Sequence, residues 1–85
     1  MEDKFNEAVS RSKQLPSKPS NEELLDLYAL YKQSSEGDVV GERPGGFDFK
    51  AIAKYDAWSG FKGLSKEEAM EKYIMLVDDL HKKYQ

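Results

Sequence analysis

Residues 20–48 read "SNEELLDLYALYKQSSEGDVVGERPGGFD", and the order of features in this stretch sets the topology. It opens on Ser20-Asn21-Glu22-Glu23, a capping box. There the Ser20 hydroxyl accepts from the Glu23 amide, and the Glu23 carboxylate reaches back to the Ser20 amide. Leu24, Leu27, Tyr28 and Tyr31 follow at helical intervals, so the spacing predicts a helix over residues 21–35. Gly37 is expected to end it in a left-handed cap. The 13 residues 36–48 then hold four glycines and one proline, which precludes a regular element. Helices joined by a few residues lie antiparallel. A crossover this long lets the second and third helices lie parallel, and a loop of this length in a small domain is often functional.

Working outward, Phe5, Ala8, Val9, Ser12 and Leu15 predict a first helix over residues 3–15, closed by Pro16 and Pro19. Ile52, Ala53, Ala57 and Phe61 predict a weaker third helix over 49–62. Gly60 lies inside it, at a cost of about 1 kcal/mol relative to alanine, and Gly63 ends it. Ser65-Lys66-Glu67-Glu68 is a second capping box. Ala69, Tyr73, Val77, Leu80 and Tyr84 carry the fourth helix over 66–84. The expectation is one all-α domain spanning residues 1–85, a four-helix bundle with a long loop between helices two and three.

The chain has 85 residues and no cysteine, so neither disulfides nor cysteine-bound metal contribute. Nothing in it resembles a signal peptide or a membrane span, and the expected setting is the cytoplasm. The net charge of −3, from 13 basic and 16 acidic residues, argues against general nucleic-acid binding. An anionic partner would have to meet a local cluster of lysines.

Catalytic signals are weak. The single histidine, His81, lies in the last turn of the last helix, where it complements the helix dipole. The doublets Glu22-Glu23 and Glu67-Glu68 occupy first turns, where carboxylates are favoured, and Asp78-Asp79 reads as solvated. No P-loop, glycine fingerprint or nucleophile elbow is present. The expectation is a protein without enzymatic activity and without a metal or cofactor.

The segment "YALYKQSS", residues 28–35, is unusual for either a core or a solvated face. Tyr28, Tyr31 and Lys32 fall within roughly a 100° arc of one helix, one turn beyond Leu24, Leu25 and Leu27. Phenol rings pack against a flat base and donate to phosphate, and lysine supplies a compact charge. The plain alternative is a core tyrosine beside a snorkelling lysine. In "AIAKYDAW", Lys54 and Trp58 are four residues apart and share a helix face. Lys13 and Lys50 are candidates by position only. A ligand with an anionic nucleotide at one end and a long apolar chain at the other would use the whole strip. A groove for a partner peptide and a non-specific nucleotide site are the competing readings.

The run Pro19-Ser20-x-Glu22-x-Leu24-x-x-Leu27-Tyr28-Ala29-x-Tyr31-Lys32-Gln33-Ser34-Ser35-x-Gly37 resembles the signature of the acyl-CoA-binding protein family, as do "GERPGGFDFKAIAKYDAW", "KGLSKEEAM" and "KYIMLVDDL". The resemblance implies a skewed four-helix bundle that binds long-chain acyl-CoA in a surface bowl. It implies a carrier and pool former in lipid metabolism that catalyses no reaction. By resemblance, Tyr28, Lys32 and Lys54 would hold the ribose 3′-phosphate, and Val9, Lys13 and Tyr28 would flank the adenine. Tyr31 and Tyr73 would bind or support the ligand, and the acyl chain would lie near Leu24, Leu25, Lys50 and Ala53. Long-chain acyl-CoA is the implied ligand. The further expectation is a monomer that meets acyl-CoA-using enzymes and membrane surfaces transiently, without stable insertion. Tyr55 stands where the family commonly has tryptophan, and Gly46 where a bulkier residue is usual. Both bear on chain-length preference and stability.

Overall fold

Four helices and no strand make up the computed structural model, which describes Met1–Gln85. They are α1 (Glu2–Ser12), α2 (Asn21–Glu36), α3 (Phe49–Ser59) and α4 (Lys66–Lys83). Both capping boxes form. Ser20 N donates to Glu23 Oε1 at 2.8 Å and Glu23 N to Ser20 Oγ at 3.1 Å. The Ser65–Glu68 pair repeats this at 3.1 and 3.0 Å. Each serine cap stabilises its helix by roughly 1 kcal/mol.

Two helix ends differ from the sequence expectation by more than one residue. The first helix ends at Ser12 rather than Leu15. The Ser12 hydroxyl donates to the Val9 carbonyl at 2.7 Å, and Tyr73 donates to that same hydroxyl, so α1 is pinned to α4 there. The third helix ends at Ser59, not at residue 62, and Gly60 is its C-cap with φ −65°. Gly60 therefore does not interrupt a helix interior, and the expected softening does not apply. Gly63, at φ +98°, turns the chain toward α4 instead. Gly37 caps α2 at φ +82°, ψ −150°, outside the left-handed helical well but in a region that glycine alone tolerates.

The backbones pack in the order α3, α2, α4, α1. Leu24 and Leu25 share a cavity with Phe49 and Lys50, while Gln33 meets Trp58, so α2 and α3 start and end together and run parallel. Glu23 meets Lys83 and Gln33 meets the Leu64 carbonyl, so α4 is antiparallel to α2. This is the arrangement that the long crossover allows.

The core is built from three helices. Phe5 and Ala8 of α1, Leu27 and Leu30 of α2, and Ala69, Tyr73, Val77 and Leu80 of α4 are buried together. The expected α2 stripe is rotated. Leu24 and Tyr31 are exposed, and the buried face continues from Leu27 and Leu30 to Gln33 and Ser34. Helix α3 contributes no buried residue. It lies along α2 without closing onto the core, and that leaves a trough between the two.

Candidate functional site

No residue of α3 is fully buried, and a set of polar contacts ties the helix in place. Gln33 is 0% exposed. Its Nε2 donates to Asp38 Oδ1 and to the Leu64 carbonyl, each at 2.8 Å, and its Oε1 accepts from Trp58 Nε1 at 3.1 Å. Trp58 Nε1 also donates to the Gly37 carbonyl at 2.9 Å, and Gly63 N donates to Asp38 Oδ1 at 2.8 Å. The Gly63 amide and the Gln33 amide together hold the Asp38 carboxyl below its usual range. One amide side chain thus joins the end of α2, α3 and the turn before α4. Along the crossover, Arg43 donates twice to Asp56 at 2.8 and 2.9 Å, and the Tyr55 hydroxyl donates to the Gly41 carbonyl at 3.0 Å. The hydroxyl that Tyr55 brings therefore ties the loop to α3.

With α3 held in that register, two lysines and two rings interlock across the trough. Lys54 Nζ of α3 lies 5.2 Å from the centroid of the Tyr28 ring of α2. Lys32 Nζ of α2 lies 5.1 Å from the centroid of the Trp58 ring of α3. Each ammonium meets the negative face of an aromatic ring on the other helix. The sequence put Lys54 and Trp58 on one face, but the structure pairs each with the opposite helix. Lys32 also makes an ion pair with Glu36 one turn on, and that contact pushes the Lys32 ammonium above its ordinary range.

Beside this grid the trough opens into a cavity of about 490 Å³, within the range of small-ligand sites. Leu24, Leu25, Tyr28, Lys50, Ala53 and Lys54 line it, so six of the sequence candidates come together. Asn21 and Phe49 line it too. Phe49 was missed, although its place four residues before Ala53 put both on one face. Gln33 was also missed; its signal was the spacing that sets it on the Leu27–Leu30 face.

Val9 and Tyr31 line a neighbouring hollow of about 460 Å³ with Phe5, Ser34, Ser35 and Met70. Tyr73 is buried, and its ring meets Phe5 edge-on at 5.2 Å and Tyr31 at 6.4 Å. Burial pushes its phenol above the ordinary range. Tyr73 backs Tyr31 from the core. Lys13 is exposed at the C-cap of α1 and lines neither hollow.

The arrangement suits binding. No group of three or more histidine, cysteine, aspartate or glutamate residues could hold a metal ion. His81 Nε2 lies 2.9 Å from the Arg11 carbonyl oxygen and donates to it in the Nε2–H tautomer, which occupies that nitrogen in joining α4 to α1. A largely apolar trough bordered by lysines and aromatic rings accommodates a molecule with an apolar tail and a flat anionic head.

A family model described as acyl CoA binding protein matches residues 2–77. The acyl-CoA-binding protein of Saccharomyces cerevisiae is 50% identical over 80 residues, covering 94% of this chain and 92% of the yeast protein. Acyl-CoA-binding protein homolog 1 of Caenorhabditis elegans is 48% identical over 80 residues, covering 94% and 93%. The crystal structure of Oryza sativa Acyl-CoA-Binding Protein 2 superposes with a TM-score of 0.91 at 45% identity, covering 96% of this chain and 91% of the rice chain.

Proposed function

This chain belongs to the acyl-CoA-binding protein family, and from that premise we propose that it binds long-chain acyl-CoA in the α2–α3 trough and carries it without transforming it. The observation that supports the reading most directly is that the Lys54–Tyr28 pair borders the 490 Å³ cavity, with the Lys32–Trp58 pair one turn further along the same two helices. The acyl chain occupies the cavity of Leu24, Leu25 and Ala53, with the stem of Lys50 as further apolar wall. Tyr28, Lys32 and Lys54 hold the 3′-phosphate. Val9, Lys13 and Tyr28 flank the adenine, and Tyr31, backed by Tyr73, supports it.

Magnitudes set the division of labour. Each methylene removed from water contributes about 0.8 kcal/mol, so a sixteen-carbon chain offers on the order of 10 kcal/mol before ordering costs. Charge-assisted bonds to the phosphate net about 1.5–3 kcal/mol each. Tight binding needs both ends, which selects the thioester over coenzyme A or free fatty acid.

No helix is long and apolar enough to cross a membrane. We place the protein in the cytoplasm as a monomeric carrier. It meets membrane surfaces and acyl-CoA-using enzymes only transiently, and it needs no resident cofactor. The test is parallel titration calorimetry with palmitoyl-CoA, coenzyme A and palmitate. One-to-one binding of palmitoyl-CoA, far tighter than either fragment, is expected. Equal weak binding of all three would remove the carrier reading.

A further inference from the structure

Four lysines are assigned to the site, and three of them, Lys13, Lys50 and Lys54, make no ion pair. Lys32 is paired with Glu36, the last residue of α2. Local stability is a poor reason for a carboxylate at that position. The C-terminus of a helix carries partial negative charge, and the last turn of α2 holds no basic residue to offset it. A lysine followed four residues later by a glutamate is also the weaker of the two orders for a helical pair. Glu36 makes no other hydrogen bond, and its side chain is 53% exposed. Its one consequence in the structure is to occupy the Lys32 ammonium, which lies over the Trp58 ring of α3.

We propose that Glu36 is a resident counter-ion that competes with the ligand's 3′-phosphate for Lys32, and so sets how strongly this chain holds the phosphorylated head. The inference rests on the site assignment above. Lys32 is held between the Glu36 carboxylate and the Trp58 ring. When a phosphate arrives, Lys32 turns from a monoanion to a group of higher charge. Glu36 is then left without its cation, close to a like charge that only solvent screens. The chain thereby gives up part of the attraction that its lysines offer. An anion too weak to displace Glu36 gains little from Lys32, so the carboxylate also raises the charge that a ligand must carry to be held.

The test compares wild type with Glu36→Gln, which keeps the shape of the side chain and removes its charge. Each is titrated with palmitoyl-CoA and with 3′-dephospho-palmitoyl-CoA at low and at high salt. The expected result is a gain of roughly threefold or more for palmitoyl-CoA at low salt, shrinking at high salt, with the dephospho ligand unchanged. Thermal midpoints of the two unliganded proteins should agree within a few degrees. An equal gain for both ligands, or no gain for either, would overturn the competition while leaving the site assignment intact. If wild type itself fails to distinguish the two ligands, the phosphate does not sit at Lys32, and both the assignment and the inference fall.

Discussion

The Lys54 ammonium lies 5.2 Å from the centre of the Tyr28 ring on the neighbouring helix, and it makes no ion pair. A cation held only by a ring face is available to an anion at small cost, because a cation–π contact at an exposed site is worth about 0.5–1 kcal/mol. The same ring and ammonium border the apolar cavity, so one end of a ligand can be anchored while the other is desolvated.

Removing either partner should therefore cost affinity and spare the fold. Lys54→Ala and Tyr28→Ala are each expected to weaken palmitoyl-CoA binding more than tenfold with little unfolding. Titration calorimetry together with thermal unfolding checks this. Unchanged affinity in both variants would refute the site.

The cavity itself can be filled. Ala53 lines it on α3, a helix that buries no side chain, so a larger residue there has room to be accommodated without disturbing the core. Ala53→Phe is expected to lower palmitoyl-CoA affinity at least tenfold while leaving coenzyme A binding as it was. Parallel loss for both ligands would mean that the variant distorts the head site and that the chain lies elsewhere.

Gln33 should matter to stability and binding together. Gln33→Ala removes one partner from Trp58 and leaves the half-buried Leu64 carbonyl without its donor. A loss of about 2 kcal/mol is expected, lowering the melting temperature by roughly 8–16 °C in a domain of this size. Lys32 also loses a well-placed ring, so affinity should fall below that of wild type at a temperature where both are folded. Circular dichroism melts and calorimetry at 10 °C separate the two effects.

Acid stability should depend on Glu23. The Tyr84 hydroxyl, Lys83 and the Ser20 amide all donate to its carboxylate and lower its pKa from 4.5 to about 2. A depressed carboxylate contributes stability that is present above the unfolded value and is lost as pH falls through the folded one. The window is therefore pH 4.5 down to 2. Glu23→Gln keeps the capping box, since glutamine also serves at that position, but removes the titration. Its melting temperature should fall less steeply than that of wild type across that window. Identical slopes would rule out Glu23 as a contributor. Asp38, Asp56 and Glu68 are also depressed, so part of the slope persists in the variant.

Much of this was legible in the chain. Ser20 and Ser65 announced two helix starts, and both capping boxes form. The stripe from Ala69 to Leu80 is buried as expected. The strip of Tyr28, Tyr31 and Lys32 was visible as well, but the fold divides it: Tyr28 lines the α2–α3 cavity and Tyr31 the hollow beside α1. The ends of α1 and α3 were less legible, because Ser12 and Gly60 are settled by partners or cap geometry beyond the local pattern.

What the sequence determined by itself was the number of helices, their caps, the long crossover that allows α2 and α3 to run parallel, and the residue types available for a flat anionic head. Hydrophobic spacing reports the angle of a residue about its own helix axis, and those features need nothing more. Only the tertiary structure decided that Lys54 faces Tyr28, that Lys32 is shared between Trp58 and Glu36, and that α3 stands off the core far enough to leave a cavity. Those relations depend on the register of one helix against another. That register is set by the bonds of Gln33, Asp38 and Arg43 to residues that lie between 5 and 31 positions away in the chain.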